Sequence, residues 1–337
     1  LGQELHDASG RVLLAKFTQL TKENVSFIAF IGIPGVYVED EFSKDVQIKE
    51  VVRPEVRRQA VSIVQDIFLK VAGGEESPRE KAIQEHVEEI VNDVMNNEDV
   101  MYNLIEVKTY DDYTYFHSAN VAILAGVLGA KANLSQKELD MLVTAGFLHD
   151  IGKFSTWTID KETGRHRFIK HDDVGSRMVK PILKALTCSN KQIEYVSEMI
   201  KNHIYPSSMM QEPEINEKAM LRYIRKLGDN VIDNIILAKA DRLSARGEVI
   251  TDEIVENNMK ALDKLMNFYF ESQEKLKPLP KLLDGYEVMK TLNIKEGKTL
   301  GNILKALKEE QLDGDITTKE EALAFVQSFY KKLIMNK

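Results

Sequence analysis

Four of the seven histidines, His117, His149, His171 and His203, fall on or near the ends of stretches with helical spacing. One of them, His149, is followed directly by Asp150. A lone histidine on such a face is more often a hydrogen-bonded core residue than a ligand. Four within one helical region, with a carboxylate adjoining one of them, point instead to a metal site. Imidazole and carboxylate together suit Fe, Mn, Ni or Zn, and facing helices of a bundle are a common frame for such ligands. His6 and His86 lie outside this region, and His166 falls in a candidate turn element.

The elements that must position these ligands read mostly as helices. The spacing of His117, Val121, Leu124 and Leu128 predicts one. Ser135 and Glu138 form a capping box that opens a second, ending near His149 and Asp150. Further helices are expected from Val174 to Leu186, Lys191 to His203, Asn216 to Leu227, Val231 to Ala245 and Asp252 to Tyr269. Between the ligands, Trp157-Thr158-Ile159 and Arg167-Phe168-Ile169 flank an Asp160 to Gly164 turn and predict a projecting β-hairpin.

Ahead of this region, Gly10 between Leu5 and the run Val12 to Ala15 predicts another hairpin. Thr21 caps a helix to about Phe30, and Gly32 and Pro34 break the chain before a strand at Val36 to Val38. Pro54 opens a helix to about Ala72. A capping box at Ser77-Pro78-Arg79-Glu80 opens one running past Met95, and another runs through Leu104. A Lys277-Pro278-Leu279-Pro280 linker precedes two or three short helices, the last capped by Thr318 with Glu321. No internal repeat of fixed period is visible. The expectation is a mainly α protein in three parts: a small α/β regulatory or accessory unit over 1–76, a helical domain over 77–272 and a helical tail over 273–337.

Tyr113-Thr114-Tyr115-Phe116-His117-Ser118 and Phe147-Leu148-His149-Asp150-Ile151-Gly152-Lys153 together resemble the HD superfamily of metal-dependent phosphohydrolases. The nearest branch is HD-GYP, whose members hydrolyse cyclic di-GMP. The N-terminal runs Gly10 to Lys16 and Gly35 to Val38 look like the small domain that precedes some HD-GYP domains. The resemblance implies a helical bundle in which His117, His149, Asp150, His171, His203 and Asp241 hold metal, Asp241 lying in Ala238-Lys239-Ala240-Asp241-Arg242-Leu243. It places Lys153 where the family contacts phosphate. A second resemblance, from Phe168 to Gly247 and from Leu283 to Ala322, is to the HD and C-terminal regions of bacterial tRNA nucleotidyltransferases. No Gly-rich segment followed by paired aspartates stands near the N-terminus, so CCA addition is not expected.

The departures sharpen the expectation. Asn202-His203-Ile204-Tyr205-Pro206 replaces the His-His-Glu of HD-GYP proteins, and no Gly-Tyr-Pro loop follows. Tyr113 stands where three-metal members carry a carboxylate. Two divalent ions are therefore favoured over three. Asp150 can bridge them if the backbone ends its helix there. Two ions would lower the pKa of a bridging water, supply hydroxide near neutral pH and clamp a phosphoryl oxygen. Asp150 and Lys153 are the candidate catalytic residues. Lys153, one turn beyond the doublet if the helix continues, can donate to a phosphate oxygen. Arg242 and Arg246 are further candidates for phosphate, with surface salt bridges the equal alternative. Trp157 is read as a packing residue before a base-stacking one. Ser207-Ser208-Met209-Met210 is read either as pocket lining or as a loop packed on the bundle.

The expected reaction is hydrolysis of a phosphodiester in a cyclic nucleotide or cyclic dinucleotide. The alternatives are 2′,3′-cyclic phosphate or phosphomonoester hydrolysis, or a weakly active metal- or nucleotide-binding sensor. The expected partner is a small phosphorylated nucleotide, and a homodimer is an assembly the sequence permits. A net charge of −8 argues against bulk nucleic-acid binding. No apolar run is long enough to cross a bilayer. Leu1 to Lys16 lacks a signal-peptide pattern, and the first residue is not an initiator methionine, as in a trimmed chain. The single Cys188 cannot form an internal disulfide, so a cytoplasmic setting is expected.

Overall fold

The computed structural model describes residues 1–6, 12–31, 36–43, 51–73, 80–97, 113–209, 216–245, 251–272 and 280–335. The turn at Gly10, the break at Gly32 and Pro34, the Ser77-Pro78 cap, the helix through Leu104, Met210 and most of the Lys277 linker lie outside them. The chain divides into two compact units, one of residues 1–207 and 232–262, the other of residues 208–231 and 263–337.

The first unit begins with β1 (Leu5–His6) and β2 (Val12–Leu14), paired antiparallel, and α1 (Lys22–Phe30). Thr21 caps α1 through a reciprocal bond with Asn24. Leu1, Leu5 and Ile28 form a small core with Leu14, Leu20 and Val36 packed on it. The strand expected at Val36 to Val38 does not form. Among the described residues, the Gly2 N–H donates to the Tyr37 carbonyl, at 2.7 Å, and one bond does not make a ladder.

Then follow α2 (Pro54–Gly73), α3 (Glu80–Asn96), α4 (Tyr113–Lys131) and α5 (Gln136–Leu148). Ala119, Val121, Ala122, Ile123, Leu124 and Ala125 of α4 are all buried, as is every residue of α5 from Met141 to Leu148. Helical stretches buried on every side belong in a core. Each fully buried Ile or Leu here contributes roughly 1.5–3 kcal/mol. A Cβ on Gly146 would stand 2.6 Å from the Ala122 Cα, and Gly126 and Gly129 of α4 meet Val143 and Leu139. These pairs run in opposite directions, so α4 and α5 pack antiparallel with their backbones in near contact.

A short α6 (Lys153–Thr156) leads into β3 (Trp157–Ile159) and β4 (His166–Phe168), an antiparallel hairpin. Its second strand starts one residue earlier than expected, and Ile169 falls in the turn. Next come α7 (His171–Ala185), α8 (Asn190–Asn202) and α9 (Tyr205–Met209). α9 stands where a loop was one of two readings. α10 (Glu217–Leu227), which belongs to the second unit, α11 (Val231–Ser244) and α12 (Asp252–Glu271) follow.

In the second unit α13 (Gly285–Leu292), α14 (Lys298–Asp313) and α15 (Lys319–Met335) surround a core of Leu283, Val288, Leu300, Ile303, Leu307, Ile316 and Val326. Thr318 and Glu321 cap α15 reciprocally. The protein is thus mainly helical, with a small N-terminal α/β element and a helical C-terminal tail. No helix among the described residues is long and apolar enough to cross a membrane.

Candidate metal centre

Two helix hairpins carry the four histidines. His117 lies one turn into α4 and His149 caps the C-terminus of α5; their Nε2 atoms are 3.3 Å apart. His171 opens α7 and His203 caps α8; their Nε2 atoms are also 3.3 Å apart. Each pair is separated by 32 residues of chain.

The tautomers follow from the backbone. Nδ1 of His149, His171 and His203 lies 2.8, 2.8 and 2.6 Å from the carbonyl oxygens of Gly146, Phe168 and Ile200. A carbonyl only accepts, so each Nδ1 carries hydrogen and donates. In a neutral ring, Nε2 is then a lone pair. Burial, and His149 beside it, push His203 down to about 3, so its ring is neutral. His171 and His203 meet Nε2 to Nε2 across 3.3 Å, so both nitrogens face one point between the rings. A carbonyl-anchored Nδ1 is the usual support of a ligating histidine.

Asp150 is 1% exposed and turns one oxygen to each pair. Oδ2 is 3.3 Å from His149 Nε2 and 3.6 Å from His117 Nε2, while Oδ1 is 3.3 Å from His171 Nε2. Asp241, on α11, sets Oδ1 3.0 Å from His117 Nε2 and 3.8 Å from His149 Nε2. Burial alone would raise both carboxyls. For Asp150 the charges of His149 and Lys153 outweigh it, for Asp241 the bond and charge of His117 do, and both are held well below the usual carboxylate range. Burial likewise opposes charge on His149, but Asp150 and Asp241 raise it on balance. His117, His149 and Asp150 form one group with ligand atoms near enough to share an ion, and Asp150, His171 and His203 form another. The donors, imidazole nitrogens and ionised carboxylates, fit a divalent ion in each.

The helix of the doublet does not continue to Lys153. α5 ends at Leu148, residues 149–152 make a turn, and Lys153 opens α6. The turn places the Lys153 ammonium 2.5 Å from Asp150 Oδ2 and 5.5 Å from the centroid of the Phe168 ring. Arg242 lies half-buried on α11 beside Asp241, and Arg246 lies outside the described residues. Trp157 is not a core residue: it is 50% exposed.

Reasoning from side-chain chemistry alone passes over Gly152. A Cβ there would stand 2.0 Å from the His171 carbonyl oxygen and 2.7 Å from the Gly175 nitrogen. Glycine is what lets the loop bearing Asp150 lie against the first turn of α7. The carbonyls of Gly146, Phe168 and Ile200 were also passed over. Each lies three residues before its histidine, a spacing that could have pointed to them.

Residues 114–246 match the HD domain family, and the chain carries an HD domain there. The segment thereby supplies a fold of metal-dependent hydrolases. A CC-adding tRNA nucleotidyltransferase of Thermus thermophilus is 37% identical over 185 residues, 54% of this chain and 38% of that protein. An A-adding tRNA nucleotidyltransferase of Deinococcus radiodurans is 32% identical over 191 residues, 56% of this chain and 42% of that protein. A cyclic di-GMP phosphodiesterase of Pseudomonas aeruginosa is 29% identical over 135 residues, 37% of this chain and 32% of that protein. The matched region thus spans less than half the length of each relative.

Proposed function

We propose that the HD domain is a phosphohydrolase that cleaves a phosphodiester in a cyclic nucleotide or cyclic dinucleotide, using two divalent ions drawn from Fe, Mn, Ni and Zn. His117, His149, Asp150 and Asp241 would hold one, and Asp150, His171 and His203 the other. The observation that carries this reading is the orientation of Asp150, one oxygen toward each histidine pair. Bound there, divalent ions supply an activated water near neutral pH and positive charge for phosphoryl oxygens.

The chain's own residues do the rest. The carbonyls of Gly146, Phe168 and Ile200 hold three rings in the ligating tautomer. The buried faces of α4 and α5 exclude bulk water around His149 and strengthen every charge interaction there. The Lys153 ammonium, half-buried beside Asp150, is the cation available to a substrate phosphate, with Arg242 and Arg246 further along the chain. Two relatives named for tRNA nucleotide addition and one named for cyclic di-GMP support a nucleotide as the substrate class.

The test is a hydrolysis screen on metal-reconstituted protein. It covers cyclic di-GMP, cyclic di-AMP, cyclic mononucleotides, 2′,3′-cyclic nucleotides and phosphomonoesters. Turnover of a cyclic nucleotide or dinucleotide, lost on chelation and restored by metal, is the expected result. Turnover confined to the last two classes would replace the substrate assignment. No turnover by fully metallated protein would leave a metal-binding sensor.

A further inference from the structure

The β3–β4 hairpin is tied to the metal centre at both ends. It begins one short helix after Lys153, and His171 follows β4 by three residues. In its register Trp157 stands opposite Phe168, and Ile159 opposite His166. Side chains alternate along a strand, so these four share one face. Lys153 Nζ lies 5.5 Å from the Phe168 ring centroid and 2.5 Å from Asp150 Oδ2. The hairpin face thus leads from Trp157 and the opposing Phe168 to the Lys153 ammonium, which lies beside the buried Asp150.

Trp157 is the only tryptophan of the chain, and half of it faces solvent. Its ring meets the His166 ring edge-on at 5.4 Å, and Ile159 beside it is also exposed. Burial in a core does not explain an indole held in this way on a strand next to the site. The charge around it is distinctive. From Trp157 to Lys170 the sequence has four basic residues, Lys161, Arg165, Arg167 and Lys170, against two acidic ones, Asp160 and Glu162, in a chain of net charge −8. Arg167 is held by Asp160 at 2.5 Å; Lys161, Arg165 and Lys170 are exposed.

We infer that this face is a nucleobase platform, on which Trp157 stacks against the base of a nucleotide whose phosphate lies at Lys153 and Asp150. The position of the phosphate rests on the phosphohydrolase reading. A ligand that is anionic at one end and planar at the other matches the order of groups along the face. Stacking tolerates every base, because every base has a π-face. Ile159 and Phe168 offer no side-chain hydrogen bond to read a base edge, and the His166 ring has both a donor and an acceptor nitrogen, so AMP and GMP should bind within a few-fold of each other.

The single tryptophan makes the test direct. Fluorescence of metal-reconstituted protein is recorded while AMP, GMP, ribose 5-phosphate or inorganic phosphate is added. Saturable quenching by AMP and GMP, absent with ribose 5-phosphate and phosphate, is expected. Calorimetry on Trp157→Ala should show AMP binding weakened roughly 10- to 100-fold with ribose 5-phosphate binding unchanged. Trp157→Phe should recover part of the AMP affinity. Unchanged metal content in both variants separates loss of stacking from displacement of His171. Equal quenching by all four probes, or none, would overturn the platform, as would equal loss of AMP and ribose 5-phosphate affinity. Quenching by AMP in protein that hydrolyses nothing would retain the platform and remove the hydrolase reading alone.

Discussion

The α4–α5 and α7–α8 hairpins present the same geometry in different surroundings. In each, a histidine early in the first helix meets one at the end of the second, 32 residues later, with 3.3 Å between Nε2 atoms. The first hairpin buries every residue of α5 from Met141 to Leu148, and His149 is fully buried. The second is amphipathic: α7 buries Gly175, Ser176, Val179, Ile182 and Leu183 along one stripe, and His171 is partly exposed. Charge separates them further. The first pair has Asp150 Oδ2 and Asp241 beside it, which raise His149 despite its burial. In the second, Asp150 Oδ1 stands 3.3 Å from His171 Nε2, and burial followed by the charge of His149 pushes His203 down to about 3 despite Asp241 and Asp150. Equal geometry thus leaves one site rich in negative charge and the other dependent on a carboxylate it shares. The second should hold its ion more weakly.

Removal of the shared group tests this most severely. Asp150→Ala should empty both sites and abolish hydrolysis, as read by elemental analysis with kinetics; one full equivalent of tightly bound metal would show that Asp150 does not serve both pairs. Lys153→Ala should leave both ions bound, because an ammonium has no lone pair to ligate them. It should lower kcat roughly 10²–10³-fold if Lys153 stabilises charge developing in the transition state. A rise in KM alone would assign it to ground-state phosphate binding.

The next substitution strikes the contact between the hairpins. The Cβ of Gly152→Ala would force α7 away from the Asp150 loop, at a cost of about 1–3 kcal/mol. Metal titration should then show the second ion weakened and the first retained; equal loss of both would mean that the hairpins move as one body. The smallest effect concerns how α8 is anchored. The Tyr195 hydroxyl donates to Asp233 Oδ2 at 2.7 Å, joining α8 to α11, and burial followed by the charge of Asp233 raises the Tyr195 hydroxyl. Tyr195→Phe should cost about 1–3 kcal/mol, seen as a lowered Tm with metal content unchanged. An unchanged Tm would mean that this bond does not hold the second hairpin.

Much of the architecture could be read from local chemistry. Capping residues at Thr21, Ser135 and Thr318 mark helix starts because their side chains satisfy amides only a few residues away. The hairpin around Asp160 and Gly164 is legible for the same reason, and its one-residue shift is the usual error at an element's edge. The strand at Val36 to Val38 was misread because strand formation needs a partner that three residues cannot announce. The same holds for the site. Residue type and the His149-Asp150 motif single out four histidines and Asp150, and the HD resemblance adds Asp241, but spacing does not reveal that Asp150 divides its oxygens between two helix hairpins. That depends on Gly146 admitting Ala122 and Gly152 admitting His171, backbone approaches between segments distant in sequence. Nor could the sequence decide whether Trp157 is buried or exposed. An indole suits a core and a stacking surface equally, and only packing of the surrounding chain leaves this one facing solvent.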